Sequence, residues 1–240
     1  MKTGILTFYY AHNYGAVLQA YALKTYLSQL GNEVYMIPYR NKGIQNRYPR
    51  KLKPLIAKKD LLYPSRWAKC IEEMRKTYNS RKDWAVQYEK FEDFISEQLL
   101  ADQIPDWKSL VLDLDVIFFG SDQIWERRIV GESDFIYAGD FLTRAKKIGY
   151  AASCFSEETV FSEQMICHLK KFSMISVREH KLAQKLSGIL NMPVEVVCDP
   201  VFLLEASDYD RLEVAEMTCH GYILFYFVSE DPELQMICEH

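Results

Sequence analysis

Ten polar residues of the sequence come directly after five predicted strands. Open parallel sheets bind ligands beyond the carboxyl ends of their strands, so these residues are expected to meet at one edge. They offer an imidazole, carboxylates, hydroxyl groups and a guanidinium, which together can orient a phosphorylated or sugar-like ligand. The ten residues are His12, Asn13, Tyr14, Ser121, Asp122, Gln123, Ser153, Arg178, Glu179 and Asp199.

The first of these residues also have ordinary structural roles open to them. A single histidine such as His12 is more often a turn or packing residue than a catalytic one. Asn13 and Gly15 suit a tight turn before a helix. Ser121 or Asp122 would cap a helix that follows a strand. Taken one at a time, the structural roles are favoured.

The later strand ends carry the same ambiguity. Arg178 can pair with Glu179 or with another nearby acid, and Asp199 before Pro200 is a common start of a turn. Polar groups at five successive strand ends are nevertheless a stronger signal than any one of them. The sequence therefore favours a ligand site at this edge, and it indicates no cluster of metal ligands.

Short apolar runs alternate with helical patterns, which predicts an α/β fold with a doubly wound, mostly parallel sheet. The first helix is expected from Ala16 to Leu30, where apolar residues recur every three or four positions, with Gly31 ending it. Further helices are marked over 84–95, 161–172 and 182–189. The predicted strands are residues 4–10, 34–39, 116–119, 147–152, 175–177 and 195–198.

The chain is expected to divide near residue 205. Residues 1–205 would form a Rossmann-like domain with a basic insertion over about 40–82. The remainder, 206–240, has an acidic, helix-like linker at 207–216, an apolar strand at 221–228 and the start of another helix. One strand and part of a helix cannot form a core, so this part is predicted to open a second α/β domain that is truncated.

Composition and missing motifs exclude several classes of protein. With 240 residues, 49% apolar and 26% charged, the chain is neither disordered nor collagen-like. No apolar run reaches the length of a membrane span, and no signal peptide is visible. The six cysteines form no C-x-x-C pair, which favours a reducing cytoplasm over a disulfide scaffold or zinc site. Dinucleotide, P-loop, zincin and hydrolase-elbow motifs are missing too.

A basic segment at residues 40–82 stands apart from an otherwise acidic chain. It holds fourteen Lys or Arg and three acidic residues, a net charge of +11, so the rest of the chain carries −15. Its aromatic and apolar residues suit contact with an anionic membrane surface or a pyrophosphate-linked acceptor. Nucleic acid is not expected, because no RNA-binding motif is present. A solvent-exposed basic loop with no binding partner is the simpler alternative. Pro49, Pro54 and Pro64 argue against one long helix in this segment.

Five blocks of the sequence resemble the polysaccharide pyruvyl transferase family. The match spans roughly residues 4–235, and the first two blocks together are quite specific. The resemblance implies a two-domain GT-B-type fold, with residues 1–205 as its Rossmann-like first half. The blocks are GILTFYYAHNYGAVLQAYAL from Gly4, FFGSDQIW from Phe118, YAAS from Tyr150, SVRE from Ser176 and DPVFLL from Asp199.

The resemblance also implies a reaction. Pyruvate would pass from phosphoenolpyruvate to hydroxyls of a sugar or lipid-linked glycan, forming a ketal in a capsule, exopolysaccharide or cell-wall glycan. No cofactor is implied besides this donor substrate. Arg178 would hold a donor carboxylate or phosphate, and Asp122 would accept a hydroxyl proton. His12 and Asn13 would lie at a helix N-terminus, a position that favours the binding of anions, and they would contact the donor or the acceptor. The other candidate residues, Tyr14, Ser121, Gln123, Ser153, Glu179 and Asp199, would bind substrate. The protein would act in the cytoplasm or at the inner face of the membrane.

Two departures from the family pattern are visible. Glu126 follows Trp125 where relatives often carry Asn. The family's Ser-Phe-His-Gly motif, whose His is thought to act in catalysis, is missing, and His220 is not its equivalent. The main acid is therefore expected beyond residue 240, in which case the chain is a fragment or a remnant. A GT-B-like glycosyltransferase using a nucleotide-sugar and a non-catalytic glycan- or partner-binding half-domain are the alternatives.

Overall fold

The computed structural model describes residues 1–51, 64–99, 106–131, 133–154 and 159–213. Within them the strands are β1 (Lys2–Leu6), β2 (Glu33–Met36), β3 (Val116–Phe119), β4 (Lys146–Ala152), β5 (Met174–Val177) and β6 (Glu195–Val196). The α-helices are α1 (Tyr14–Gln29), α2 (Lys42–Gln45), α3 (Trp67–Phe94), α4 (Trp107–Leu110), α5 (Arg127–Val130), α6 (Glu163–Leu169), α7 (His180–Leu190) and α8 (Ala206–Tyr209). A π-helical turn, Ile95–Leu99, extends α3.

The described strands form one parallel sheet in the order β2-β1-β3-β4-β5-β6. The predicted doubly wound α/β architecture is confirmed. The chain moves outward from β1 to β2, crosses back to β3, and continues away from β1 through β4, β5 and β6. Right-handed crossovers place α1 on one face of the sheet and α6 and α7 on the other. The direction reverses between β1 and β3, and open sheets bind ligands beside such a reversal.

Helix α1 forms where the sequence predicts it and begins slightly earlier. Asn13 caps the helix, because its side-chain oxygen accepts a hydrogen bond from Ala16 N at 3.2 Å. At the other end Gly31 has a φ of +79°, and Asn32 N donates to Leu27 O at 3.2 Å. This is a Schellman ending, as the glycine predicts.

Strands β1 and β2 are shorter than predicted. The prediction of a strand as far as Tyr10 is wrong, because β1 ends at Leu6. The last bond of this strand end is the one that Leu6 O accepts from Gly120 N at 3.0 Å. Tyr10 is buried in the following turn, with its hydroxyl 3.1 Å from that of Tyr137. Burial raises the pKa of Tyr10 to about 12. Strand β2 ends before Pro38, which has no N–H for the ladder.

Helix α3 covers the second half of the basic segment. The sequence predicts a helix only from Trp84 onward, but α3 begins at Trp67. Pro64 does not interrupt it, because it lies just before the helix in a 3-10 turn, where proline is tolerated. Cys70 and Phe91 are its buried residues, so most of its length is open to solvent. Residues 52–63 of the basic segment lie outside the described residues.

The first compact unit of the chain ends at Leu204, and a second begins at Glu205. Strand β6 stops at Val196, two residues short of its predicted end. Helix α8 is a single turn and continues as a 3-10 turn at Asp210–Leu212. The strand predicted at 221–228 and the helix start after it lie outside the described residues. None of the described helices combines the length and apolar character needed to span a membrane.

Candidate functional site

The loop after β3 is fixed by a buried polar network. Ser121 N donates to Gln19 Oε1 at 3.1 Å, and Gln19 Nε2 donates to Thr7 Oγ1 at 2.9 Å. The Thr7 hydroxyl in turn donates to Ser121 O at 2.9 Å. All three residues are buried. This closed ring joins the end of β1, helix α1 and the loop after β3, so the backbone of Ser121 is held before any ligand arrives.

Trp125 anchors the far end of the same loop. Its indole is fully buried, and Nε1 donates to Tyr137 O at 3.0 Å. The ring lies directly on β4 at Gly149, where a Cβ would come within 3.0 Å of it. Gln123, half-buried between the two anchors, donates its N–H to Asp122 Oδ1 at 2.8 Å. Both ends of the loop are therefore set by core packing.

Arg178 links three of the strand ends. Its Nε and Nη2 donate to Ser121 Oγ at 2.9 and 2.5 Å, and Nη2 lies 2.6 Å from Asp199 Oδ2. The Ser121 hydroxyl in turn donates a hydrogen bond to Ala151 O at 2.6 Å. The acid that pairs with Arg178 is thus Asp199 and not Glu179. Nη1 has no hydrogen-bond partner in the described part of the chain, and the side chain is 28% exposed. Nη1 is therefore the nitrogen of this guanidinium whose donors are left for an anionic ligand.

Asp122 occupies an unusual backbone conformation in a poorly solvated position. Its φ is +78°, in the left-handed region that Asn and Asp tolerate better than most residues. Its carbonyl accepts from Ser153 N at 3.0 Å. Burial raises the pKa of its carboxyl, opposed by the Gln123 N–H and by Arg178 and reinforced by Asp199. A carboxyl with a raised pKa is the kind of group that exchanges a proton with a substrate hydroxyl.

We expect Asp122→Asn to stabilise the protein at neutral pH. Folding raises the pKa of this carboxyl above the ordinary 3.8, so the ionised form costs stability above the folded pKa. Below the unfolded pKa both states are protonated and the cost vanishes. Asn suits the positive φ and keeps the oxygen that accepts from Gln123 N. The melting temperature should rise by about 2–4 °C at neutral pH and stay unchanged in acid.

Circular dichroism melts over a pH series measure this difference. The matched control is Asp93→Asn, because Asp93 is exposed on α3 and should give no rise. A lower melting temperature of Asp122→Asn at neutral pH would contradict the proposed burial cost. So would a rise of the same size at low pH.

Ser153 and Glu179 form a second pair, at the ends of β4 and β5. Ser153 Oγ donates to Glu179 Oε1 at 2.5 Å, while Glu179 Oε2 is buried without a hydrogen-bond partner in the described residues. A buried acceptor in this state suits a ligand hydroxyl. Burial and the carboxylates of Glu126 and Glu179 raise the pKa of the neighbouring Cys154 thiol to about 12, which disfavours its reactive thiolate form at neutral pH.

Glu126, which follows Trp125, is buried and bonded at both carboxylate oxygens. Its Oε2 accepts from Thr159 Oγ1 at 2.8 Å and its Oε1 from Arg128 N at 3.2 Å. The second bond caps α5. The carboxylate therefore joins the start of α5 to the chain at residue 159.

The three candidates after β1 make their contacts with α3 or within α1. His12 Nε2 lies 2.7 Å from Glu92 Oε1, and its ring stacks on Phe91 with centroids 5.2 Å apart. The hydrogen bond from His12 holds the pKa of Glu92 below its usual range. Asn13 caps α1. Tyr14 is 55% exposed and packs on Phe91. The structure thus joins the residues after β3, β4, β5 and β6 and gives those after β1 other partners.

A cavity of about 530 Å³ opens beside Tyr14. It lies between α1 and α3, with apolar walls that include Val17, Leu18 and Phe94. None of the residues bonded to Arg178 lines it. The apolar cleft and the polar strand-end cluster are therefore separate regions of the first compact unit.

Three residues of these networks were not predicted from the sequence. Gln19 has a detectable signal, since it is an amide within the best-defined helix of the chain and is buried there. Thr7 has none, because it lies inside a predicted strand. Glu92 meets His12 across 80 positions of sequence, and no spacing rule connects them. Among the described residues, no group of three His, Cys, Asp or Glu is arranged to hold a metal ion.

The chain matches the family model described as polysaccharide pyruvyl transferase over residues 13–225. No curated protein and no solved structure matches it. The matched region contains Ser121, Asp122, Arg178 and Asp199, which meet at the strand ends. It also covers most of the 240 residues. The chain therefore belongs to the polysaccharide pyruvyl transferase family.

Proposed function

We propose that the protein transfers pyruvate from phosphoenolpyruvate to two hydroxyls of a sugar and that the cluster around Arg178 binds the donor. Family membership supports the general reaction, with a pyruvate donor and a polysaccharide acceptor. One observation carries the site: Ser121 and Asp199 hold the guanidinium in place while Nη1 keeps no described partner. A planar guanidinium suits both the carboxylate and the phosphate of this donor.

In the proposed reaction, one carbon atom of the donor gains a proton and two hydroxyl groups of the acceptor each lose one. The methylene carbon of phosphoenolpyruvate takes a proton and becomes a methyl group. One sugar hydroxyl bonds to the adjacent carbon and loses its proton, and the C–O bond to phosphate breaks with its electron pair on oxygen. The second hydroxyl then bonds to the same carbon, loses its proton and closes the ketal. No cofactor takes part, and one proton leaves with the phosphate.

Two carboxyl groups are proposed to serve the acceptor side. Asp122, whose pKa is raised by burial, takes the proton of the attacking hydroxyl. Glu179 orients a hydroxyl through Oε2, while Ser153 holds Oε1. Gln123 lines the same loop. The proton for the methylene carbon comes from a group that this cluster does not contain, in keeping with an acid contributed by another part of the protein.

The proposed acceptor is a sugar of a capsule, exopolysaccharide or cell-wall glycan, free or lipid-linked. His12, Asn13 and Tyr14, beside the apolar cleft, are proposed to contact it. The reaction is proposed to take place in the cytoplasm at the inner face of the membrane. Free thiols support a reducing compartment, and the described cysteines Cys70, Cys154, Cys167 and Cys198 are all free.

Calorimetric titration of the chain with phosphoenolpyruvate tests the proposal. We expect binding that inorganic phosphate competes for and no binding of nucleotide-sugars. Radiolabelled phosphoenolpyruvate should also transfer its label to a glycan extract, in a form that mild acid releases as pyruvate. Binding of a nucleotide-sugar without phosphoenolpyruvate would favour a glycosyltransferase instead. Glycan binding without phosphoenolpyruvate would favour a non-catalytic binding module.

A further inference from the structure

We propose that the N-terminal half of α3 is a docking surface for an anionic lipid membrane. Four large apolar side chains lie along it at spacings of four, three and four residues, which is one line on a helix. We call them the α3 stripe: Trp67, Ile71, Met74 and Tyr78. They are 52%, 61%, 45% and 72% exposed, respectively.

The α3 stripe is not part of the core of the first compact unit. Between Trp67 and Lys82 only Cys70 is buried among the described side chains. Single exposed apolar residues are common on protein surfaces, but a continuous row of four on one helix marks an interaction surface. The C-terminal half of α3 is attached to the first compact unit through Phe91 and the His12–Glu92 pair, contacts that do not involve the row.

Basic residues border the α3 stripe on both sides. The helical period places Arg75 and Lys82 along one edge and Arg81 along the other, while Glu72 and Glu73 fall away from it. Neither Arg75 nor Arg81 forms an ion pair within the described part of the chain. The surface is therefore an apolar row with cationic margins, and residues 67–82 hold five Lys or Arg and two acidic residues, a net charge of +3.

This charge pattern selects the occupant. A second copy would bring an equally basic surface, so like charges would oppose pairing along the stripe. A nucleic acid would satisfy the cations but leave Ile71 and Met74 without apolar contact. An anionic lipid surface satisfies both, because headgroups attract Lys and Arg while apolar and aromatic side chains enter the boundary with the acyl chains. The aromatic pair Trp67 and Tyr78 suits that boundary.

Docking through α3 gives the proposed location at the membrane a binding surface. It rests on the proposed function only for the identity of a lipid-linked acceptor. It is testable without donor or acceptor. Flotation of the chain with vesicles of phosphatidylcholine and phosphatidylglycerol in equal parts measures it, with pure phosphatidylcholine vesicles as reference. We expect the chain to float with the anionic vesicles and to remain behind with the neutral ones.

Two double variants and two controls define the surface. Ile71→Ser with Met74→Ser removes the centre of the α3 stripe, and Arg75→Glu with Arg81→Glu reverses one charge on each margin. All four positions are exposed, so folding should be unaffected. Each double variant should partition at least about tenfold more weakly. The controls should behave as the unaltered chain: Leu142→Ser, at an apolar residue 82% exposed outside α3, and Lys69→Glu, on the far side of α3.

Several results would overturn the proposal. The first is that the unaltered chain does not float with anionic vesicles, or floats equally well with neutral ones. The second is that the Ile71→Ser/Met74→Ser variant floats as well as the unaltered chain. A dimer in analytical ultracentrifugation that this variant dissociates would assign the α3 stripe to contact between copies. Phosphoenolpyruvate binding should be equal in all variants, so failure of membrane docking and failure of the proposed function give different results.

Discussion

Replacing Gly120 by alanine is expected to abolish stable folding of the first compact unit. Gly120 follows β3 with a φ of +115°, a region that residues with a side chain rarely adopt. A Cβ there would lie 2.4 Å from Tyr150 O, far inside van der Waals contact. Tyr150 O is a main-chain atom of β4, so relieving this contact requires the backbone of that strand to shift. We expect a loss of more than about 4 kcal/mol.

Gly131→Ala separates the two sources of this cost. Gly131 has a φ of +92°, but nothing lies within 4 Å of a Cβ built there. It should therefore lose only the conformational contribution, about 1–2 kcal/mol. Urea unfolding of both variants, with soluble yield as a second measure, compares them. Equal destabilisation would mean that β4 accommodates the added methyl group and that the close approach at Gly120 carries no special cost.

The same close approach explains why a chemical site forms here. With no side chain at residue 120, the chain runs against β4 and turns there, so that Ser121 bonds to Ala151 and Asp122 to Ser153. The loop then presents a hydroxyl that Arg178 bonds from the end of β5 and a carboxyl that lies within the electrostatic influence of Arg178. Gly120 is thus a structural condition for the site.

Pattern alone predicts the sheet and the polar groups at its edge. The sequence predicts both ends of strand β3 correctly, because its apolar run is followed by a glycine and a turn. The order of strands and helices implies parallel strands, and parallel strands bring their carboxyl ends together. For this reason the joint presence of Ser121, Asp122, Arg178 and Asp199 at one edge was predictable without any knowledge of their contacts.

Contacts that depend on tertiary packing could not be predicted. Several acidic residues of the sequence could form an ion pair with Arg178. The path of the chain after β6 determines that Asp199 is the one that does. His12 was expected at the strand-end cluster, but the aromatic face of α3 provides Phe91 and Glu92 as closer partners. Tyr10 looks like a strand residue because burial in a turn demands the same apolar character as burial in a sheet.

Arg178→Ala is expected to weaken phosphoenolpyruvate binding about 30-fold, the loss of a charge-assisted contact of about 2 kcal/mol. The fold should survive, because the groups left behind keep other partners. Ser121 still donates to Ala151 O, and Asp199 Oδ1 still accepts from Val201 N at 3.0 Å. Calorimetry gives the affinity, and a thermal melt of the same sample gives the stability.

Arg178→Lys distinguishes donor recognition from simple charge. Lysine keeps the positive charge but offers one compact ammonium in place of a fork, so it cannot serve Ser121, Asp199 and an anionic ligand in the same geometry. Affinity should recover only in part, to about tenfold below that of the unaltered chain. Lys181→Ala, at an exposed cation on α7, is the matched control and should bind normally. Unchanged affinity in a folded Arg178→Ala protein would remove Arg178 from the donor site. Full recovery by lysine would reduce its role to long-range attraction of the anion.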